Sequence, residues 1–291
     1  MAGKQVSVNL YDIDYPIQNT YSIDDVINLY QAMPLDQRWR NDIRLDDIER
    51  YNYLGEDVVL LNFSKKRDVG PGKVKNDQPV EGVNLGQGYS FSEETTGLLH
   101  IKTKTIILIN NFYGIGINRI TEYLNAVDPG NNNVFLNFYG EPRLNPTAYA
   151  QFKRMKAVDK IIVTATIEAL TQDQHDAGVA MGRATKSLGG RKIHFEMSAN
   201  EGKKRSRVMK HGPVMSLLKK LRLHDEDEVS TLKVKGQVGD RDKMIDLIKQ
   251  KMTQKFSAKD LVVIDNKYTL ASKKSILERT FTGWKSLLNM P

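Results

Sequence analysis

The clearest alternation of apolar and polar segments predicts a strand, a turn and a helix in succession. Thr105–Ile109 is a continuous apolar run rich in β-branched side chains, which predicts a buried strand. Asn110–Asn111 and Gly114–Gly116 interrupt it, because asparagine and glycine accept a positive φ at low cost. From Ile117 apolar side chains recur at three- and four-residue spacing, so a short helix follows and ends before Asp128.

The same periodicities predict further elements along the chain. Strands are expected at Val6–Leu10, Val58–Phe63, Val134–Tyr139, Lys160–Ala169, Lys192–Ser198, Val229–Lys235 and Leu261–Ile264. Helices are expected at Ser22–Met33, from Asn145-Pro146, up to about Leu188, and at Pro213–Leu223, Asp242–Met252 and Ala271–Leu288. Strands and helices do not alternate strictly, which indicates an α+β fold with mixed sheets and flanking helices. Arg38–Tyr53 is highly charged and receives no assignment.

Length and charge together predict two lobes. A chain of 291 residues is longer than one hydrophobic core usually serves. Residues 1–150 hold 14 basic and 19 acidic side chains, whereas residues 151–291 hold 29 basic and 16 acidic ones. We therefore predict an acidic N-terminal α+β lobe (1–150) and a basic C-terminal α+β lobe (151–291).

Basic residues are most concentrated at 151–222, a range that contains 16 basic and 6 acidic side chains. This surplus indicates either a surface for a polyanion or a solvated face that keeps the protein soluble. Under the first interpretation, two groups are candidate DNA contacts. The larger group is Lys203, Lys204, Arg205, Arg207, Lys210, Lys219, Lys220 and Arg222, and the smaller group is Arg183, Lys186, Arg191 and Lys192.

A third basic group lies in the acidic half, within Ser64–Gly88. The glycines and prolines of this segment predict a long loop or a hairpin arm. Its residues Lys65, Lys66 and Arg67 belong either to an exposed loop or to an arm that contacts a phosphate backbone.

The composition of the basic segments favours duplex DNA over other nucleic acids. Lysine and arginine neutralise phosphates and release condensed counterions, which gives affinity without sequence preference. Aromatic residues are scarce in these segments, which argues against binding of single strands by base stacking. No zinc-finger or clear helix-turn-helix pattern is present. We predict contact with the backbone of double-stranded DNA.

Catalytic patterns are weak. The chain has no cysteine and five scattered histidines, which form none of the usual metal or nucleophile motifs. Two D/E-x-K patterns, Asp265-Asn-Lys267 and Glu201-Gly-Lys203, leave a metal-dependent nuclease as the alternative function. We predict a binding protein that is not an enzyme and uses no cofactor.

Location follows from the same composition. Absence of cysteine is compatible with a reducing cytoplasm. No apolar run approaches the ~20 residues of a membrane span, and the first residues lack the apolar core of a signal peptide. The expected location is cytoplasmic.

Five features of the sequence share their order with a known group of proteins. They are Arg38–Tyr53, the Gly/Pro-rich arm, the helix ending in Glu122–Asn125, and the segments Leu232–Gly236 and Ile245–Leu247. This order resembles a group of phage and bacterial proteins that is distantly similar to RexA-like phage-exclusion proteins. It implies a homodimer of two-lobed chains, one lobe able to swivel, that binds double-stranded DNA without sequence specificity. It also implies a role in abortive defence against phage, with a membrane partner protein.

The resemblance transfers no DNA-binding residue, so the candidate contacts depend on charge alone. It also leaves the dimer surface open. Phe281 and Trp284 on the last helix are candidates for a dimer contact or for the hydrophobic core, and the core is favoured.

Overall fold

The computed structural model describes residues 5–67, 70, 73–75, 78–87, 89–110, 114–128, 134–155, 157–166, 191–199, 209, 229–238, 241–265 and 267–288. These residues form antiparallel sheets and α-helices, which confirms the predicted α+β class. The strands are β1 (Gln5–Asp14), β2 (Trp39–Arg40), β3 (Ile43–Tyr53), β4 (Glu56–Arg67), β5 (Lys73–Lys75), β6 (Gln78–Glu81), β7 (Phe91–His100), β8 (Thr105–Asn110), β9 (Tyr139–Pro142), β10 (Ala157–Thr166), β11 (Lys192–Ser198), β12 (Val229–Val238), β13 (Arg241–Asp246), β14 (Thr253–Ser257), β15 (Val263–Ile264) and β16 (Lys267–Tyr268). The helices are α1 (Ile23–Ala32), α2 (Ile117–Asn125), α3 (Pro146–Lys153) and α4 (Leu270–Leu288).

The chain folds into two compact units, and the first unit is discontinuous in sequence. It comprises Met1–Gly140 and Thr253–Pro291, whereas the second unit comprises Glu141–Met252. The predicted division at residue 150 placed the last segment in the basic lobe. With the units as they fold, the first has 20 basic and 21 acidic residues, and the second has 23 basic and 14 acidic residues. The charge asymmetry therefore remains, but it belongs to a smaller, central part of the chain.

The first unit is built on one large sheet with helices packed on both faces. Its strand order is β14-β1-β8-β7-β4-β3-β2, and every pair along this path is antiparallel. One face packs on α1 and α2 around Val59, Leu61 and Phe63 of β4. Leu60 and Asn62 alternate with them and lie on the opposite face, where α4 packs against β7 and β8. Because both faces of the sheet are covered, the sequences of the central strands are continuous apolar runs.

Helix α4 carries both predicted dimer candidates, and it buries Phe281 more deeply than Trp284. Phe281 is fully buried and its ring meets Tyr53 and His100 edge-on at centroid distances of 5.9 and 5.4 Å. Phe281 therefore belongs to the core of the first unit. Trp284 is half-buried on the same helix.

The second unit contains a four-stranded antiparallel sheet in the order β11-β10-β12-β13. Ile161 and Val163 of β10 and Leu232 and Val234 of β12 are fully buried together with Phe152 of α3. Helix α3 begins as predicted, because the side chain of Asn145 accepts a hydrogen bond from the backbone N–H of Ala148 at 2.9 Å and proline occupies the first turn.

Two predicted elements are wrong, and backbone hydrogen bonding explains both. Residues 134–138 form no strand, since the N–H groups of Phe135, Asn137 and Phe138 donate to side chains of Thr20, Asn19 and Asn125. The predicted helix Asp242–Met252 is β13 followed by a single helical turn. The backbone N–H of Gln250 donates to the carbonyl of Asp246 in that turn, which accounts for the helix-like spacing of the apolar residues.

The structure also assigns the charged segment Arg38–Tyr53 and part of the predicted arm to strands. Arg38–Tyr53 contributes β2 and β3. Strand β4 continues to Arg67, so Lys65, Lys66 and Arg67 lie in the large sheet and not in a loop. The described part of the arm is a small two-stranded ribbon, β5–β6.

Candidate nucleic-acid interface

The structure describes five of the fifteen predicted DNA contacts. Arg191 and Lys192 lie at the start of β11 in the second unit, and Lys65, Lys66 and Arg67 end β4 in the first unit. The remaining candidates lie outside the described residues: Arg183, Lys186, Lys203, Lys204, Arg205, Arg207, Lys210, Lys219, Lys220 and Arg222. The predicted helices that end near Leu188 and span Pro213–Leu223 also lie outside them.

The basic group of the first unit is largely engaged by its own surroundings. Arg67 forms an ion pair with Glu93, with Nη1 and Oε1 2.5 Å apart. The ammonium of Lys66 lies 4.1 Å from the ring centroid of Trp39, which Arg44 also contacts. These contacts satisfy the cations locally, so this group is a weak candidate for phosphate binding.

The basic surplus of the C-terminal segment is also used internally. Lys267 and Lys273 both contact Glu94, at 2.6 and 2.5 Å, and Lys274 lies 2.6 Å from Glu49. Lys285 approaches Glu56 at 3.9 Å. The charge count of residues 151–291 therefore overstates the positive charge available to a partner.

Glu94 is the centre of this internal pairing. Its side chain is 14% exposed and that of Lys273 is 8% exposed, so both charges lie mostly out of water. Burial alone would raise the pKa of Glu94, but hydrogen bonds from Lys267 and Lys273 outweigh burial and lower it. The carboxylate is thus ionised and holds β16 and α4 against the large sheet.

The sheet of the second unit has one apolar and one polar face. On β11, Ile193 and Phe195 pack on the core, while Lys192, His194 and Glu196 point to the other face and are exposed. Strand alternation places the polar residues of the neighbouring strands on that same face. They include Lys160 and Thr164 of β10, Thr231, Lys233 and Lys235 of β12, and Asp242 and Asp246 of β13. We call this surface the polar face.

Only some lysines of the polar face are neutralised. Lys160 contacts Glu196 at 2.5 Å, and this hydrogen bond lowers the pKa of the Glu196 carboxyl group. Lys235 contacts Asp242 at 3.3 Å. Among the described residues no ion pair is formed by Lys192, Lys233 or the adjacent Arg191. On the polar face, Lys192 and Lys233 are thus outside the ion pairs formed among the described residues, and Lys233 lies opposite Asp246 in the register of β12 and β13. The hydroxyl of Thr164 lies 2.7 Å from Nδ1 of His194 on the same face.

The lysines of the polar face are the kind of group that pairs with anions, and the residues of the nuclease alternative can be located only in part. Within that part of the chain, no three histidine, aspartate or glutamate side chains are grouped to hold a metal ion. Asp265 of the first D/E-x-K pattern occupies a turn with φ of 50°, and Lys267 is paired with Glu94. Glu201-Gly-Lys203 lies outside the described residues.

Sequence reasoning missed Lys160, Lys233 and Lys235 as members of this surface. The signal was present in the alternation of Lys233-Val234-Lys235, where a buried valine separates two outward lysines. The prediction from charge chose the densest basic runs instead. It did not use the alternation of side chains between the two faces of a strand.

Together, fold and surface define a two-unit α+β protein whose second unit carries a basic polar face. A family model described as a family of unknown function (DUF6731) matches residues 2–276, so the chain belongs to that family. No curated protein matches the chain. None of the described helices is long and apolar enough to cross a membrane.

Proposed function

We propose that this protein binds double-stranded DNA through its phosphate backbone, without sequence preference, using basic residues of the second unit. The observation that carries the proposal is the polar face, where Lys192 and Lys233 form no ion pair with a described carboxylate, together with the adjacent Arg191, which also forms none. Ammonium and guanidinium groups on a sheet surface neutralise phosphates and release counterions, which favours binding at low salt.

The distribution of charge between the units supports the same site. The first unit has nearly equal numbers of basic and acidic residues and pairs several of its lysines internally, whereas the second unit carries a net charge of +9. A polyanion would therefore be attracted to the second unit. The ten predicted contacts outside the described residues belong to that unit as well.

The wider role depends on the resemblance to RexA-like phage-exclusion proteins. On that basis we propose a cytoplasmic homodimer that acts in abortive defence against phage, together with a membrane partner protein. We propose no enzymatic step and no cofactor.

Sequence independence gives a direct test. We expect two 30-base-pair duplexes of unrelated sequence, labelled with a fluorophore, to bind with dissociation constants that agree within about threefold, because phosphate contacts carry no sequence information. Fluorescence anisotropy at low salt measures both. A preference of 10³-fold or more for one duplex, the range typical of specific binding, would contradict backbone recognition.

The alternative function, a metal-dependent nuclease, is tested with the same duplexes. Incubation with Mg²⁺ or Mn²⁺ should leave them intact if the protein only binds DNA. Cleavage that is lost in Asp265→Ala or Glu201→Ala would support the nuclease instead.

A further inference from the structure

Strand β11 is one edge of the described sheet in the second unit. It pairs with β10 on one side, and among the described strands it has no neighbour on the other. Most of its side chains are exposed, including Met197 at 38%. Among the described strands, the outer backbone N–H and C=O groups of these seven residues have no partner strand, and such an edge is a template for pairing with another strand.

The sequence of β11 is complementary to itself when two copies run antiparallel. With the two-fold axis at Phe195, His194 faces the second copy's Glu196, and Ile193 faces the second copy's Met197. The polar face gains two pairs of His194 with Glu196, which are able to form hydrogen bonds across the interface. The core-facing side gains two aliphatic pairs and one aromatic pair.

The alternation of side chains limits the possible registers. A two-fold axis normal to the sheet keeps each face on its own side, so only residues of the same parity can face each other. An axis at His194 would pair five residues of β11 and would place two histidines opposite each other. An axis at Phe195 is at the centre of Lys192–Ser198 and pairs all seven residues.

We propose that two copies of this chain associate through antiparallel pairing of their β11 strands about Phe195. The two four-stranded sheets then form one continuous sheet of eight strands, and the two polar faces form one basic surface. This inference specifies the surface for the homodimer of the proposed function. Its tests measure mass and cross-linking, so its failure is distinguishable from a failure to bind DNA.

A lysine two residues from the two-fold axis should separate the copies. Met197→Lys places an ammonium opposite Ile193 of the second copy, and lysine on edge strands opposes strand pairing. Met197 is already exposed, so the substitution spares the core of the monomer. Met244→Lys on β13, at the opposite edge of the same sheet and 49% exposed, is the matched control.

Sedimentation velocity and light scattering measure the mass across a series from about 1 to about 100 μM. We expect wild type and Met244→Lys at twice the monomer mass of 33.0 kDa, and Met197→Lys at the monomer mass with an unchanged circular dichroism spectrum. A monomeric wild type throughout the series, or a Met197→Lys variant that remains dimeric, would overturn the proposal.

Cross-linking tests the register, because the chain contains no cysteine of its own. Lys192→Cys combined with Ser198→Cys places two thiols opposite each other across the interface only when the axis lies at Phe195. Oxidation should yield covalent dimers. Lys192→Cys combined with Glu196→Cys reports the register centred on His194, and efficient cross-linking by this pair alone would refute the axis at Phe195.

Discussion

Replacing Arg191, Lys192 and Lys233 with glutamine is expected to weaken binding of duplex DNA by about 10²- to 10³-fold at 0.1 M salt. Each phosphate contact contributes about −0.9 to the slope of log K against log salt concentration, so the loss of three contacts changes that slope by about 2.7. At 0.1 M salt this change corresponds to a loss of association constant of about 10²- to 10³-fold. Glutamine keeps these side chains polar and introduces no repulsion from nearby carboxylates. Fluorescence anisotropy of a labelled duplex measures the change.

A matched control separates the polar face from net charge. Lys102, Lys255 and Lys259 are exposed lysines of the first unit, and their replacement by glutamine lowers the net charge of the chain by the same three units. We expect this variant to bind DNA nearly as wild type does. Equal losses in the two variants would assign binding to overall charge and would remove the polar face from the site.

Glu94→Ala is expected to destabilise the first unit by about 3–5 kcal/mol, because it leaves the buried ammonium of Lys273 without a carboxylate partner. Glu49→Ala is the control. Its contact with Lys274 joins two more exposed side chains, and exposed ion pairs contribute about 0–1 kcal/mol. Urea unfolding followed by circular dichroism measures both. A loss from Glu94→Ala no larger than that from Glu49→Ala would show that Lys273 does not depend on this pair.

The pH dependence of the Glu94 contribution has a definite sign. The folded pKa of Glu94 lies below the value of about 4.3 in an unfolded chain, so its stabilisation is complete above that unfolded value. It is lost as the pH falls through the folded pKa. The stability difference between wild type and Glu94→Ala should therefore be constant near neutral pH and shrink below about pH 4.

Local periodicity and end signals predicted much of the fold. Ser22 begins α1 with a capping box, its side chain accepting from the N–H of Asp25 while the Asp25 carboxylate accepts from the N–H of Ser22. Ile117, Ile120 and Leu124 are buried along one side of α2, as the three- and four-residue spacing predicted. These features depend on residues close together in sequence, so they can be recognised without knowledge of the rest of the fold.

Features that depend on distant partners were not predicted. The spacing of Ile245 and Ile248 suits a helix, but β13 forms because β12 offers backbone partners for six consecutive residues. The return of Thr253–Ser257 to pair with β1 likewise has no local signal. Because this pairing was not predicted, the division of the chain by charge assigned all residues after 150 to one lobe.

The candidate site likewise combines features that the sequence alone predicts with features that depend on distant partners. Charge along the chain indicated a basic lobe at 151–291, and the unit Glu141–Met252 within and beside that range has a net charge of +9. Charge alone could not show that Lys273 is buried against Glu94 or that Lys160 pairs with Glu196, since these contacts are set by tertiary packing and strand register. It also could not assign Lys233 and Lys192 to one face of the sheet, which requires the order β11-β10-β12.

The most direct test of DNA binding is the salt dependence of the association constant for one labelled duplex. With at least Arg191, Lys192 and Lys233 in contact with phosphates, a plot of log K against log salt concentration should have a slope of about −3 or steeper. A flat plot, or no measurable association at low salt, would contradict the account.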